Sequence, residues 1–260
     1  AAIIERREAR LVGPITLIQG GNAFIYRLPV FGLIFSRLPA TLELAISAML
    51  IATLLGQSPE GIILTGAAQT DYARKLLERA DIPVVQLMEL TEQPIDMNIG
   101  FSHFHAGYDM TKHLLQRGYR APGFIGARMD PRTQQRLAGF RQAIADWPQP
   151  CQSFIQTTTQ PSSARLGGQL LQALIAESAG KCDAVFCCND DLALGALFEA
   201  QKMNLAVPGD IAICGFNDLE SSSLVNPSIT SVASARFDMG KQAVEMLLAA
   251  VGKPRKSIAP

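Results

Sequence analysis

Three stretches of the chain hold polar residues that could do chemistry, and two of them end an apolar run. The first is Cys188-Asn189-Asp190-Asp191-Leu192-Ala193-Leu194-Gly195-Ala196. An apolar run stops at Cys188 and a helical pattern begins near Asp191. Asn189 or Asp190 therefore falls at the helix N-cap, where a side-chain oxygen satisfies backbone N–H groups that the helix cannot. That position also lies beyond the carboxyl end of a strand, where parallel α/β sheets bind ligands. An asparagine there can close a turn, and it can equally hydrogen-bond a ligand hydroxyl. The second stretch, Ile213-Cys214-Gly215-Phe216-Asn217-Asp218, ends the same way. The third is Arg136, downstream of Asp130-Pro131. Asp130 suits an N-cap and Pro131 the first helical position, where a missing N–H costs nothing. A guanidinium can grip an anion with two parallel hydrogen bonds, although an arginine on a helix is more often a plain surface residue.

The elements around these residues alternate. Short apolar runs occur at Gly61–Thr65, Pro83–Leu87, Met97–Phe101, Pro122–Gly126, Ser153–Thr157, Asp183–Cys188 and Ile211–Phe216. Continuous runs of this length suit strands buried on both faces. Between and after them lie helical patterns at Asp71–Arg79, Ala106–Gln116, Pro131–Asp146, Ser163–Ser178, Asp190–Lys202 and Phe237–Val251. Gly118 and Gly180 follow the second and fourth as helix stops. This alternation predicts βαβ units and mostly parallel sheet. The number of units fits two doubly wound lobes better than one. Residues 11–60 carry only Arg27, Arg37, Glu43 and Glu60 as charged side chains. A helix there rests on Leu42, Ile46, Met49 and Leu50, with Pro29 and Pro39 as punctuation, and no strand order is assigned.

Composition narrows the function classes. The 260 residues hold 23 Lys+Arg and 23 Asp+Glu, so the net charge is zero. A surface that grips phosphate backbone usually has a basic surplus, so this chain by itself is a poor nucleic-acid binder. Apolar residues at 48% and charged residues at 18% argue against disorder. The five cysteines, Cys151, Cys182, Cys187, Cys188 and Cys214, have no framework spacing, which points to a reducing compartment. The most apolar stretch, Leu42–Leu55, contains Glu43 and is shorter than the roughly 18–20 residues that span a bilayer. No signal-peptide cleavage pattern stands near the first residues. The expectation is a cytoplasmic protein without a membrane segment.

Taken together, the stretches have a family order. Arg136-Leu-Ala-Gly-Phe comes first, then Asn189-Asp-x-x-Ala-x-Gly-Ala, then Gly215-Phe-Asn-Asp, then Asn226-Pro-Ser-Ile-Thr-Ser-Val. This order and spacing resembles the effector-binding core of the lactose-repressor/galactose-repressor (LacI/GalR) family of bacterial transcription regulators, over about residues 57–252. Pro83-Val-Val-Gln-Leu-Met and Asp96-Met-Asn-Ile-Gly-Phe are most similar to gluconate-operon repressors. The resemblance implies a periplasmic-binding-protein-like α/β fold, two doubly wound parallel-sheet lobes joined by three crossings. The expected N-terminal lobe is 1–101 plus 235–250, and the C-terminal lobe is 102–234 plus 251–260. A sugar or sugar acid would bind in the cleft between the lobes. Arg136 matches the effector-clamping arginine, and Asn189 and Asn217 match polar contacts of the second lobe. Phe237 and Phe101 match aromatic walls, and Thr65 and Glu89 match first-lobe strand ends. No cofactor is implied.

The departures from the family pattern carry information. The family's usual acid at position 217 is an amide in this chain, which removes a negative charge beside Arg136 and suits an acidic ligand. Leu11–Gly20 matches the family's first strand poorly, so no site residue is assigned within 1–56. The family's DNA-reading headpiece is expected before residue 1, outside this chain, which accounts for the zero net charge. Operator DNA would be reached through it, in a homodimer whose face includes helices around Asp71–Arg79.

Other chemistries find less support. His103 and His105 would share a face on a strand, but they fall at a strand-to-helix turn with no further ligand nearby, so no metal is expected. Neither G-x-G-x-x-G, G-x-S-x-G nor a P-loop is present, and Gly20-Gly21-Asn22 is a weak phosphate-loop candidate. Cys187 and Cys188 read as inert core. No catalysis is expected. The rival is a solute-binding protein for sugar uptake, which would share the fold but need an export signal.

Overall fold

The computed structural model describes residues 16–19, 22–23, 51–53, 55–66 and 71–253. Its elements run β1 (Thr16–Gln19), β2 (Asn22–Ala23), β3 (Ile62–Thr65), α1 (Asp71–Arg79), β4 (Val84–Glu89) and β5 (Met97–Phe101). Then come α2 (His103–Gln116), β6 (Pro122–Gly126), α3 (Pro131–Ala145), β7 (Phe154–Thr157), α4 (Ala164–Glu177) and β8 (Ala184–Cys187). The chain continues through α5 (Asp190–Lys202), β9 (Ala212–Asn217), α6 (Glu220–Leu224), β10 (Thr230–Ala233) and α7 (Arg236–Ala250). It divides into two compact units, 1–101 with 236–260, and 102–235.

In the first unit the sheet order is β2-β1-β3-β4-β5, parallel except for the β1–β2 pair. Alternation along β3 and β4 gives each a residue set for each face. Ile62, Leu64 and Val84 pack with Ala73 and Leu77 of α1 and with Ile51 and Ile95. Ile63, Val85 and Leu87 pack with Ala243 and Leu247 of α7. Both helices present residues four apart, one stripe of a helical surface. One face of this sheet is thus covered by a helix that the chain supplies only after completing the other unit.

The second unit is contiguous. Its sheet order is β10-β9-β8-β6-β7, with every pair parallel. Phe124 of β6 stands at the centre, with ring centroids 5.5 Å from Phe140 of α3 and 5.5 Å from Phe186 of β8. From β6 the chain runs outward to β7, then returns past β6 to β8 and on to β10. The order therefore reverses between β6 and β8, which defines the topological switch point. Helices α2 and α3 touch backbone to backbone. A Cβ on Gly107 would collide with the Arg136 carbonyl oxygen, and one on Gly139 with the Phe104 carbonyl oxygen.

Several expectations shift in detail. Helix α2 starts at His103 rather than Ala106, because Ser102 caps it and its Oγ accepts from His105 N at 3.2 Å. The edge strand β10 holds Thr230 and Ser231 followed by only two apolar residues, so a search for continuous apolar runs passes over it. Thr16–Gln19, in the segment given no strand order, pairs in parallel with β3. Val251–Lys253 group with the first unit, not the second, because Val251 N continues α7 by donating to Leu247 O at 3.0 Å. The chain passes between units after Phe101 and after Ala235. The third crossing, if it follows residue 253, and the helix resting on Leu42, Ile46, Met49 and Leu50 lie outside the described residues. Among the described residues no helix is long and apolar enough to cross a membrane.

Candidate functional site

The switch point of the second unit is tied together by backbone. Cys188 N donates to Ile125 O at 2.8 Å, and Ala127 N donates to Cys188 Sγ at 3.5 Å. Arg136 reaches this point from α3. It is 7% exposed, and its Nη1 donates to the Cys188 carbonyl. Its Nε and Nη2 lie 3.3 and 3.2 Å from Nδ1 of His103, which is fully buried. The guanidinium stacks on Phe216 of β9, with Cζ 3.5 Å from the ring centroid. A desolvated cation–π contact of this kind contributes about 2 kcal/mol. Arg136 is therefore a built feature of the strand ends and not a surface residue. Its orientation is set on an edge by His103, at one nitrogen by a carbonyl, and on its face by Phe216.

Asn189 does cap α5, as its Oδ1 accepts from Leu192 N at 3.0 Å. Its Nδ2 donates to Ser162 Oγ at 2.7 Å, joining the loop before α4 to the loop after β8. Asp190, almost fully buried, holds the neighbouring loop. Its Oδ2 accepts from Leu219 N at 2.7 Å, and its Oδ1 accepts from Ser231 Oγ at 2.6 Å. Ser231 Oγ in turn accepts from Asp218 N at 3.0 Å. This network supports Asn217 and Asp218 at φ 111° and 53°, values that non-glycine residues rarely adopt and that Asn and Asp tolerate best. Gly215 is required beneath it, since a Cβ there would strike Asp190 Oδ1. Asn217 is half-buried at the carboxyl end of β9.

The structure thus brings Arg136, Asn189 and Asn217 to strand ends of one sheet. In the first unit Thr65, Glu89 and Phe101 sit at the carboxyl ends of the adjacent strands β3, β4 and β5. Thr65 and Glu89 are buried, and Phe101 is half-buried. Phe237, in the first turn of α7, is 82% exposed.

The spacing argument missed His103, Ser162, Phe216 and Ser231. A helix separates His103 and His105 by about 200°, so His103 is buried while His105 faces solvent. Nothing in the local sequence distinguishes the two. All five cysteines are free thiols. Burial pushes Cys182 and Cys214 up to about 12, and Cys187 well above its ordinary value, which opposes thiolate formation and nucleophilic chemistry. Among the described residues no three His, Cys, Asp or Glu side chains cluster as metal ligands.

Paired α/β units with polar strand ends at a switch point define a class of ligand-binding domain, and residues 111–259 match the model of a periplasmic binding protein-like domain. The chain is 42% identical over 204 residues to the HTH-type transcriptional regulator GntR of Pseudomonas aeruginosa, covering 78% of this chain and 59% of that protein. Among solved structures it resembles the transcription regulator GntR from Chromobacterium violaceum, at 34% identity and a TM-score of 0.74, covering 90% of each chain. It also resembles a LacI family transcriptional regulator from Silicibacter pomeroyi, at 26% identity and a TM-score of 0.75, covering 91% of this chain and 92% of that one. The chain belongs to the LacI/GalR family of transcriptional regulators, which are not enzymes. It spans about 59% of the curated relative's length.

Proposed function

We propose that this chain is the effector-binding core of a repressor that responds to a small sugar acid of gluconate type. The observation that carries the reading is the buried Arg136 guanidinium, stacked on Phe216 at the switch point of a sheet. A fixed cation among polar strand ends suits a carboxylate bearing hydroxyls. Arg136 binds the carboxylate, and Asn189 and Asn217 bind hydroxyls. The amide at Asn217 tolerates the ligand's charge where an acid would repel it. Two curated relatives named HTH-type transcriptional regulator GntR, at 42% and 37% identity, agree with the regulator reading, and the likeness of Pro83–Met88 and Asp96–Phe101 to gluconate-operon repressors supports the ligand class. The protein acts in the cytoplasm as a homodimer and reaches operator DNA through a helix-turn-helix headpiece outside this chain. Effector binding shifts a two-state equilibrium that sets operator affinity.

The test is a thermal-shift series with sugars, sugar acids and their phosphates. A ligand at 100 times its dissociation constant adds about 2.7 kcal/mol, which raises the midpoint by roughly 5–10 °C. Gluconate is expected to do so, and Arg136→Ala to weaken it by roughly 30-fold or more. Asn217→Asp is expected to weaken gluconate by about tenfold. A shift from neutral sugars alone would overturn the sugar-acid reading, and a concentration-independent monomer in sedimentation would overturn the dimer.

A further inference from the structure

Asn189 and Asn217 differ in how far their amides are committed. Asn189 spends Oδ1 on the α5 cap and Nδ2 on Ser162. The Asn217 side chain makes no hydrogen bond among the described residues, yet its backbone is held at φ 111°. A non-glycine residue keeps such a value only where its surroundings over-determine it, and such residues gather at ligand sites. The hold comes from β10. Ser231 pairs with Gly215, the glycine whose missing Cβ admits the Asp190 carboxylate. A hydroxyl both donates and accepts. Ser231 Oγ donates to Asp190 Oδ1 at 2.6 Å and accepts from Asp218 N at 3.0 Å. Asp190 is 1% exposed, and its Oδ2 also accepts from Leu219 N at 2.7 Å. The peptide that joins Asn217 to Asp218 is therefore bonded, through one hydroxyl, to the buried start of α5, next to Asn189. The same peptide is gripped at its oxygen by Ser234, whose Oγ donates to Asn217 O at 3.3 Å.

Without the Ser231 hydroxyl, the Asp218 N–H and a buried carboxylate oxygen each lose a partner. The peptide is then able to turn and relieve the φ of Asn217, and the open amide turns with it. We infer that Ser231 is a positioning residue of the effector site: its hydroxyl, shared between Asp190 and Asp218 N, holds the Asn217 amide where it meets a ligand hydroxyl. This inference rests on the proposed role of Asn217.

The test is a double-mutant cycle. Gluconate affinity of the purified chain is measured by calorimetry, with ligand-free melting as a check on folding. Asn217→Gly removes the amide while accepting the positive φ, and is expected to weaken gluconate by about tenfold. Ser231→Ala is expected to weaken it by about fivefold. Ser231→Thr keeps the hydroxyl and is expected to stay within about twofold of the parent. Because Ser231 acts through Asn217, adding Ser231→Ala to Asn217→Gly is expected to change affinity by less than about twofold. Parental affinity in Ser231→Ala would overturn the inference. So would a loss that persists undiminished in the Asn217→Gly background, or an equal loss in the Ala and Thr variants. If Ser231→Ala does not fold, Ser231→Cys takes its place, being close in size with only a weak donor, and the same outcomes decide. If the parent does not bind gluconate, or if Asn217→Gly binds it as the parent does, the proposed role of Asn217 fails and this inference with it. Loss in Asn217→Gly with parental affinity in Ser231→Ala overturns the role of Ser231 alone.

Discussion

The two units solve the same sheet-covering problem with different chain economy. The unit of residues 102–235 is contiguous, has phenylalanines at its centre, and brings helix pairs into backbone contact through glycines. The other unit has an aliphatic core and borrows α7 from beyond residue 235 to cover one face of its sheet. Its integrity therefore depends on contacts of long sequence separation, whereas the Arg136 site is assembled within one continuous segment. The difference teaches that the surroundings of Arg136 are set within one continuous segment, whatever covers the sheet of the first unit.

The sharpest way to break the comparison is a pair of core truncations. Phe124→Ala removes the central ring of the contiguous unit and is expected to cost about 3–5 kcal/mol. Leu247→Ala removes the α7 contact with Ile63 and Val85 and is expected to cost about 2–5 kcal/mol. In scanning calorimetry each should lower a different transition. If both variants shift one common transition equally, the units are not energetically separate.

Thiol chemistry sharpens the comparison, because all five cysteines lie between residues 151 and 214. In the folded chain a thiol reagent should modify Cys151 first, as it is half-exposed while the others are buried. Leu247→Ala should leave the four buried thiols protected, and Phe124→Ala should expose them. Alkali should act on the same unit. Cys182 and Cys214 are pushed up to about 12 from an ordinary 9.0 by burial, so the folded unit keeps protons that the unfolded chain releases above about pH 9. Stability from these groups is whole below that pH and is lost as pH rises toward 12. The melting of the 102–235 unit should therefore fall faster with alkali than that of its neighbour.

Smaller effects belong to the surface. Ser163 caps α4, its Oγ accepting from Leu166 N at 3.2 Å, so Ser163→Ala is expected to cost about 1 kcal/mol in the second unit. Arg74 and Glu78 form an exposed i,i+4 pair on α1 at 2.8 Å. Its contribution is expected at about 0.3–0.5 kcal/mol, so Glu78→Gln should shift denaturant midpoints by less than any change above.

Much of the second unit is legible in the residues themselves. Continuous apolar runs such as Ala184–Cys187 have few other ways to be buried, and cap residues such as Asp130 and Ser163 mark helix starts through purely local bonds. Asn189 was identifiable for the same reason, as a polar residue between a strand and a helix. Residues 11–60 were less legible, since sparse charge and a nearly uniform apolar character leave little periodicity to read beyond the pattern at Leu42, Ile46, Met49 and Leu50. Strand β10 was hidden by its edge position, where one side of the ladder needs no apolar neighbour.

The sequence alone determined the alternation of elements, the parallel sheets and the placing of Asn189 and Asn217 at strand ends. These follow from local hydrogen-bond satisfaction and from the burial of apolar runs. Only the tertiary structure decided what surrounds Arg136. His103 is 33 residues away in the chain and Cys188 is 52 away, and no local propensity encodes such a meeting. It depends on a glycine crossing of two helices and on a strand order that reverses between β6 and β8. Both are properties of how the elements pack, and so a lone histidine in a helix became legible as a partner of Arg136 only in three dimensions.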